Sequence, residues 1–411
     1  MIIEQRIKDF EKLGFGMFVH FGLYSVLGKG EWAKWGHKIS HEDYEPLKTK
    51  FNPEPDWAVK LVAAAKQAGC RYITLTTRHH DGFSLYDTCG LNDYDAPHSA
   101  AGRDLVREFV DECRKADIIP FFYHTLLDWR EPHYETDFPE YLKYLRKSVE
   151  ILCTNYGKIG GLWFDGKWNK KDADWEEDAL YSLIRRYQPD AMIINNTGLG
   201  ARGELGHIEL DSVTFERGRP RPINMAGSPK YIASEMCQTL GCVWGYGEED
   251  LLYKSPQTLI EDICTCRKYG ANMLLNVGPM GNGLLRPLDA ELLKCVGKWV
   301  GIYDEALHEA RPTDIAIKDK PDDFVLKDGN TYYMFCYNVG MGGDGNVVVW
   351  TNDQNHINCC AFPKRIKKIT WIDNGKEVKF EQTDDSTTVY TVPFAYGTNL
   401  IVRVAKIETE D

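Results

Sequence analysis

Not one C-x-x-C pair occurs among the 12 cysteines of this 411-residue chain, and their spacing outlines no disulfide framework. Cys70, Cys113, Cys153, Cys264 and Cys295 lie among apolar residues of expected helices or strands and read as reduced core thiols. No stretch approaches the roughly 20 apolar residues of a membrane-spanning helix. The N-terminus, M-I-I-E-Q-R-I-K-D-F, lacks the uninterrupted apolar core of a signal peptide. A cytoplasmic protein without membrane contact is the expectation. Positive charge is also short: 49 Lys and Arg stand against 61 Asp and Glu, a net charge of -12. Nucleic acids and acidic membranes need clustered cations, so neither is expected as a partner; a neutral substrate suits this balance better.

What is present is a recurrence. Short apolar runs separated by helix-like segments fall at 15–19, 72–77, 118–123, 159–164, 191–195, 212–215, 231–234 and 272–277. Asp56 is placed to cap a helix over 57–68 that stops at Gly69, and 103–115 carries Leu105, Val106, Phe109, Val110 and Cys113 on one face. Ser255-Pro256 opens a helix ending at Gly270. Strand–helix alternation repeated about eight times predicts an α/β fold, a (β/α)8 TIM-like barrel. Residues 196–230, rich in Gly, Arg and Pro with little helical period, read as long loops in place of regular helices. From 310 onward the pattern changes to β-like segments at 332–337, 346–350, 366–372, 387–392 and 400–404, with Asn374-Gly375 as a hairpin signal. The expected organisation is a barrel over 1–309 and a small C-terminal all-β sandwich over 310–411, with Arg311-Pro312 near the junction.

Barrel enzymes keep their chemistry at the C-terminal ends of the strands. The residues there are His20, then His79, His80 and Asp81, then Tyr123 and His124, then Asp165, Asn195 and Asn196, Glu216, Glu235 and Asn276. Asp165 ends the run I-G-G-L-W-F-D-G; alone it reads equally as a nucleophile, a base, a metal ligand or a helix N-cap. Three chemistries compete for the ring. His20, His79, His80, His124 and Asp165 offer ligands for a metal-dependent hydrolase. Asp165 with Glu216 or Glu235 offers the paired carboxylates of a glycosidase. A catalytically silent sugar-binding barrel is the third. No H-x-H or H-E-x-x-H spacing supports the first, and adjacent His79 and His80 point to opposite sides if a strand runs through both. Neither metal nor cofactor is therefore expected. Trp32, Trp35, Phe83, Trp129, Trp163, Trp168 and Trp244 favour a sugar, whose C–H faces stack on indoles while its hydroxyls seek His, Asn, Glu and Arg.

The motifs H-F-G-L-Y-S (20–25), E-W (31–32), H-H-D-G-F (79–83) and Y-H-T-L-L-D-W (123–129) resemble those of family 29 glycoside hydrolases, the α-L-fucosidases. W-F-D-G-K-W (163–168), W-G-Y (244–246) and N-M-L-L-N-V-G-P (272–279) extend the likeness, in order, over roughly residues 10–310. The resemblance implies a barrel with irregular helices that cleaves terminal α-L-fucose from oligosaccharides or glycoconjugates with retention. It implies that Asp165 is the nucleophile and forms a fucosyl-enzyme ester. It also implies that His20, Glu31, Trp32, His79, His80 and His124 hold fucose hydroxyls, with Tyr123 beside them and Trp168 and Trp244 as walls. Two residues compete for acid/base. Glu216 in D-S-V-T-F-E resembles the family's D-x-x-T-P-E with Phe215 for the proline, and Glu235 in S-E-M-C resembles its W-E-x-C with Ser234 for the tryptophan. A mobile loop after strand six favours Glu216, leaving Glu235 to anchor structure or a loop arginine. Arg202 or Arg217 is the candidate cation near nucleophile or sugar, and the chain is left free to form a homo-oligomer.

Overall fold

The computed structural model describes residues 3–226, 228–348 and 356–410. Eight parallel strands close into a barrel in chain order: β1 Phe15–Val19, β2 Tyr72–Arg78, β3 Ile119–Thr125, β4 Gly161–Asp165, β5 Met192–Asn195, β6 Ser212–Glu216, β7 Ala233–Thr239 and β8 Asn272–Val277. The seam is the β1–β8 pair, running from Phe15↔Met273 to Val19↔Val277. The strands are buried nearly throughout because inward residues fill the lumen while outward ones are also covered. Phe18, Trp163, Ile194 and Leu274 join Tyr72, Phe121 and Ala233 in one buried cluster. Ile7 and Phe10 of the helix Gln5–Leu13 belong to the same cluster and stopper the barrel. Side chains alternate along a strand, so the position two residues beyond each of these core residues faces the same way.

The helix Leu105–Lys115 is capped by Asp104, which accepts from the Arg107 N–H, and Ser255 caps Pro256–Lys268 through the Thr258 N–H. Asp56 stands at the N-cap of Trp57–Gln67 but makes no capping bond; its carboxylate instead meets Lys60 at 3.1 Å, so the cap expected there is not formed. Among the described residues no helix separates β5 from β6 or β6 from β7, as the composition of 196–230 predicts. Strand β7 starts at Ala233, later than the apolar run 231–234 implies, and this moves Glu235 from beyond the strand to its interior. All 12 cysteines are free. Cys70, Cys113, Cys153 and Cys264 are buried, but Cys295 is exposed: it sits on the open side of the helix Pro287–Leu307, not in the core.

By contacts the chain divides into one compact unit of Met1–Lys254 with Asn272–Lys294 and another of Ser255–Ala271 with Cys295–Asp411. The second unit holds a five-stranded antiparallel sheet of β9 Arg311–Pro312, β10 Phe324–Asp328, β11 Thr331–Cys336, β13 Ile366–Trp371 and β16 Arg403–Thr409. A three-stranded sheet of β12 His356–Cys360, β14 Phe380–Gln382 and β15 Thr387–Thr391 faces it, and one core draws on both, including Tyr332, Met334, Trp371, Cys360 and Val389. The last strand lies at 403–409 instead of 400–404. Its charged tail hides it, and Ile401 takes a left-handed φ of 69° in the preceding turn. Asn374-Gly375 does reverse the chain, yet only the bridge Thr370↔Glu377 follows before β14 enters the other sheet. Of the segment 346–350, residues 346 and 347 lie in a turn, 348 has no regular structure and 349–350 lie outside the described residues. No helix among the described residues is long and apolar enough to cross a membrane.

Candidate active site

A cavity of about 510 Å³ opens at the C-terminal end of the barrel. Its floor is Phe18 and Trp163 of the core cluster. Above them stand the side chains two positions further along the strands: His20 after Phe18, Tyr123 after Phe121, Asp165 after Trp163 and Asn196 after Ile194. Glu216 and Cys237 complete this layer from the paired positions of β6 and β7. Trp32, Trp168 and Trp244 form the walls, with Trp32 and Trp168 stacked at 6.0 Å. Other expected aromatics fall elsewhere: Phe83 is buried against Phe51 and Tyr94, Trp129 packs against Trp32 and His80, and Trp35 is exposed outside the cavity.

Asp165 sits among four donors. Its Oδ1 accepts from Trp168 Nε1 and Asn196 Nδ2, each at 3.1 Å, and its Oδ2 accepts from the Tyr123 hydroxyl at 3.1 Å. His80 Nε2 lies 3.5 Å from Oδ2. Burial opposes the charge, but the His80 bond and charge and the Trp168 and Asn196 donors prevail and hold this carboxyl below its usual range. The capping alternative fails, because the turn Lys167–Lys170 has Gly166 at its N-cap position and no side-chain cap. Gly166 itself has φ 98°, and a Cβ there would lie 2.6 Å from that of Leu127, so the aspartate is followed by the residue that fits.

The imidazoles are oriented from behind. Asn276 donates to the Trp244 carbonyl at 2.7 Å, so its Oδ1, 2.5 Å from His20 Nδ1, accepts the proton of that nitrogen. The lone pair of His20 Nε2 remains for a ligand hydroxyl, and burial keeps the ring neutral by lowering its pKa to about 3. His80 Nδ1 is 2.7 Å from the Thr125 hydroxyl, which donates onward to the Leu127 carbonyl. His79 and His80 both line the cavity: β2 ends at Arg78 before reaching them, so the alternation that would have sent them to opposite sides does not apply. His79 Nδ1 is buried with no partner. Glu31 also reaches the cavity, its Oε2 accepting from the N–H groups of Trp244 and Gly245.

Three residues expected near the ligand, His124, Arg202 and Arg217, do not line the cavity. His124 follows Tyr123 on β3, so alternation turns it outward; its Nδ1 meets the Thr125 carbonyl at 2.6 Å and its Nε2 the Ser148 hydroxyl at 2.7 Å. Arg202 donates instead to the backbone carbonyl of Glu216 and so supports that segment from outside. Arg217 lies over Trp244, 5.1 Å from the ring, with φ 49° immediately after Glu216. Asn196, one member of an Asn-Asn pair at the end of β5, is the residue whose importance the sequence left unmarked. Its amide donates to Asp165 and, at 2.8 Å, to Glu216 Oε2. Among the described residues no three His, Cys, Asp or Glu side chains are arranged to hold a metal ion.

The two candidate acids differ sharply. Glu216 borders the cavity, and burial with the neighbouring Asp165 charge raises its pKa. Glu235 is one layer lower, paired in register with Thr214 and not in the cavity lining. The Tyr72 hydroxyl donates to its Oε2 at 2.5 Å and Trp163 Nε1 to its Oε1 at 2.9 Å, tying β2, β4 and β7 together across the lumen. Removing the carboxylate strands both donors, so Glu235→Ala is expected to lower the unfolding free energy by about 3 kcal/mol or more, read from urea unfolding. Burial raises the Glu235 pKa from 4.5 to about 7. The folded state therefore holds this proton more tightly than the unfolded chain does. Its contribution is full below about 4.5 and is lost as pH rises to about 7, a slope that Glu235→Gln should remove.

Residues 4–305 match the family model described as Alpha-L-fucosidase. The chain belongs to the α-L-fucosidase family. It is a glycoside hydrolase by that membership, and the relatives agree. A tissue alpha-L-fucosidase of Mus musculus is 28% identical over 360 residues, covering 80% of this chain and 77% of that one. Alpha-L-fucosidase isoenzyme 1 of Paenibacillus thiaminolyticus superposes with a TM-score of 0.81 at 29% identity over 99% of each chain. A GH29 alpha-L-fucosidase of Bacteroides thetaiotaomicron, crystallised as a trapped covalent intermediate with 2-fluoro-fucosyl fluoride, shares the fold with a TM-score of 0.82 at 22% identity, over 100% of this chain and 97% of that one.

Proposed function

We propose that this family member is a retaining, exo-acting α-L-fucosidase that removes terminal α-L-fucosyl groups from oligosaccharides or glycoconjugates. Asp165 is the nucleophile and Glu216 the acid/base, while Glu235 braces the barrel. One observation carries the reading: a single amide nitrogen touches both acids. The two oxygens at 3.1 and 2.8 Å from Asn196 Nδ2 are at most 5.9 Å apart. Retaining glycosidases space their carboxyls at about 5–5.5 Å, whereas inverting ones leave about 6.5–9.5 Å for a water. The electrostatics support the same division of labour, with one carboxyl held ionised and its neighbour holding a proton. In the first step Asp165 attacks the anomeric carbon while Glu216 gives its proton to the departing oxygen; in the second Glu216 takes a proton from water, which opens the ester. The trapped intermediate of the Bacteroides thetaiotaomicron fucosidase supports the ester.

The test is hydrolysis of 4-nitrophenyl α-L-fucoside followed by proton NMR. The expected first product is α-L-fucose, which then mutarotates. Appearance of β-L-fucose first overturns retention, and binding without turnover favours a silent fucose-binding barrel.

A further inference from the structure

The Asn196 side chain has a fixed orientation. Its Oδ1 accepts from the Gly198 N–H at 3.2 Å and the Thr214 hydroxyl at 3.0 Å. A backbone N–H only donates, so the oxygen belongs on that side and the NH₂ group faces the two acids. One hydrogen is directed to Asp165 Oδ1 and the other to Glu216 Oε2.

We propose that Asn196 is a positioning residue that couples the two halves of the reaction, and this rests on the roles given above to Asp165 and Glu216. A carboxylic acid accepts hydrogen bonds best at its carbonyl oxygen. With Oε2 taken by the amide, the transferable proton of Glu216 resides on Oε1, leaving that oxygen to meet the glycosidic bond. The amide also sees one negative charge throughout the cycle. At the start the charge is on Asp165 and Glu216 is neutral. Once the ester forms, Asp165 is neutral and Glu216 carries the charge. Two N–H groups from one nitrogen serve both states without moving.

The other titratable and charged groups facing this pair are His20, His80 and Tyr123 on Asp165, and Arg202, Arg217 and Cys237 around Glu216, with the Trp168 indole also on Asp165. Asn196→Ala and Asn196→Asp leave all of them in place. The readout is the pH dependence of kcat/KM on 4-nitrophenyl α-L-fucoside, measured first on the unaltered protein. If that protein shows no turnover, the functional reading fails and not the coupling. Asn196→Ala is expected to lose about 10- to 100-fold in kcat/KM. Both limbs of its profile should move to higher pH, by about half a unit to one unit, because each acid loses a donor that favours its anion. Asn196→Asp keeps the shape and the Thr214 and Gly198 contacts but brings a like charge, so its limbs should move further in the same direction. It carries the test should the alanine variant not fold. Lower activity with both limbs where they stand in the unaltered protein marks a merely structural residue and overturns the proposal, as do limbs that move apart.

Discussion

Asp165→Ala is expected to cut kcat/KM for 4-nitrophenyl α-L-fucoside by about 10⁴-fold or more while the protein still unfolds cooperatively at a similar temperature. That loss corresponds to about 5 kcal/mol of transition-state stabilisation. The fold should survive because the carboxylate borders an open cavity, where water replaces it for the stranded donors on Tyr123, Trp168 and Asn196. Azide entering the space left by the carboxylate should restore turnover and give β-L-fucosyl azide. An azide product of α configuration from this variant rules Asp165 out as the nucleophile.

Glu216→Ala should discriminate between substrates. A natural disaccharide has a poor leaving group and needs the proton, so its hydrolysis is expected to fall by about 10²- to 10⁴-fold. An aryl fucoside with a good leaving group still forms the ester, and azide then gives the α product. The pH profile supplies a second readout. Burial and the Asp165 charge keep Glu216 protonated above the usual carboxyl range, so the alkaline limb of kcat/KM belongs to it and should vanish in the variant. If Glu235→Gln shows this selective loss and Glu216→Ala does not, the two roles are exchanged.

The barrel was legible because a buried parallel strand must be apolar on both faces, and six of the eight runs lie close to the observed strands. Asp165 was legible only in company: alone it suited a helix N-cap as well as a reaction, and the ring of polar strand ends and the motifs around it singled it out. What the sequence obscured is which side of a strand its terminal residues face. Adjacent polar pairs hid it. Counting two residues on from Phe121 and Ile194 selects Tyr123 and Asn196 for the cavity and sends His124 and Asn195 outward, where they meet Ser148 and Tyr181. A strand start misplaced by two residues cost more. It lifted Glu235 by one layer and made a lumen brace resemble an exit residue. The Cα trace was never the difficulty; a half-turn of the pleat was.

The stopper formed by Ile7 and Phe10, with Phe18 and Trp163 above it, gives the cavity a closed bottom. On the retaining mechanism proposed above, this sets how the products leave. The aglycone departs before the ester is opened, and the freed fucose, beneath where the aglycone lay, leaves by the same mouth. Fucose should therefore be a competitive product inhibitor, and the enzyme cannot work processively: each cleavage ends with an empty pocket and a new encounter.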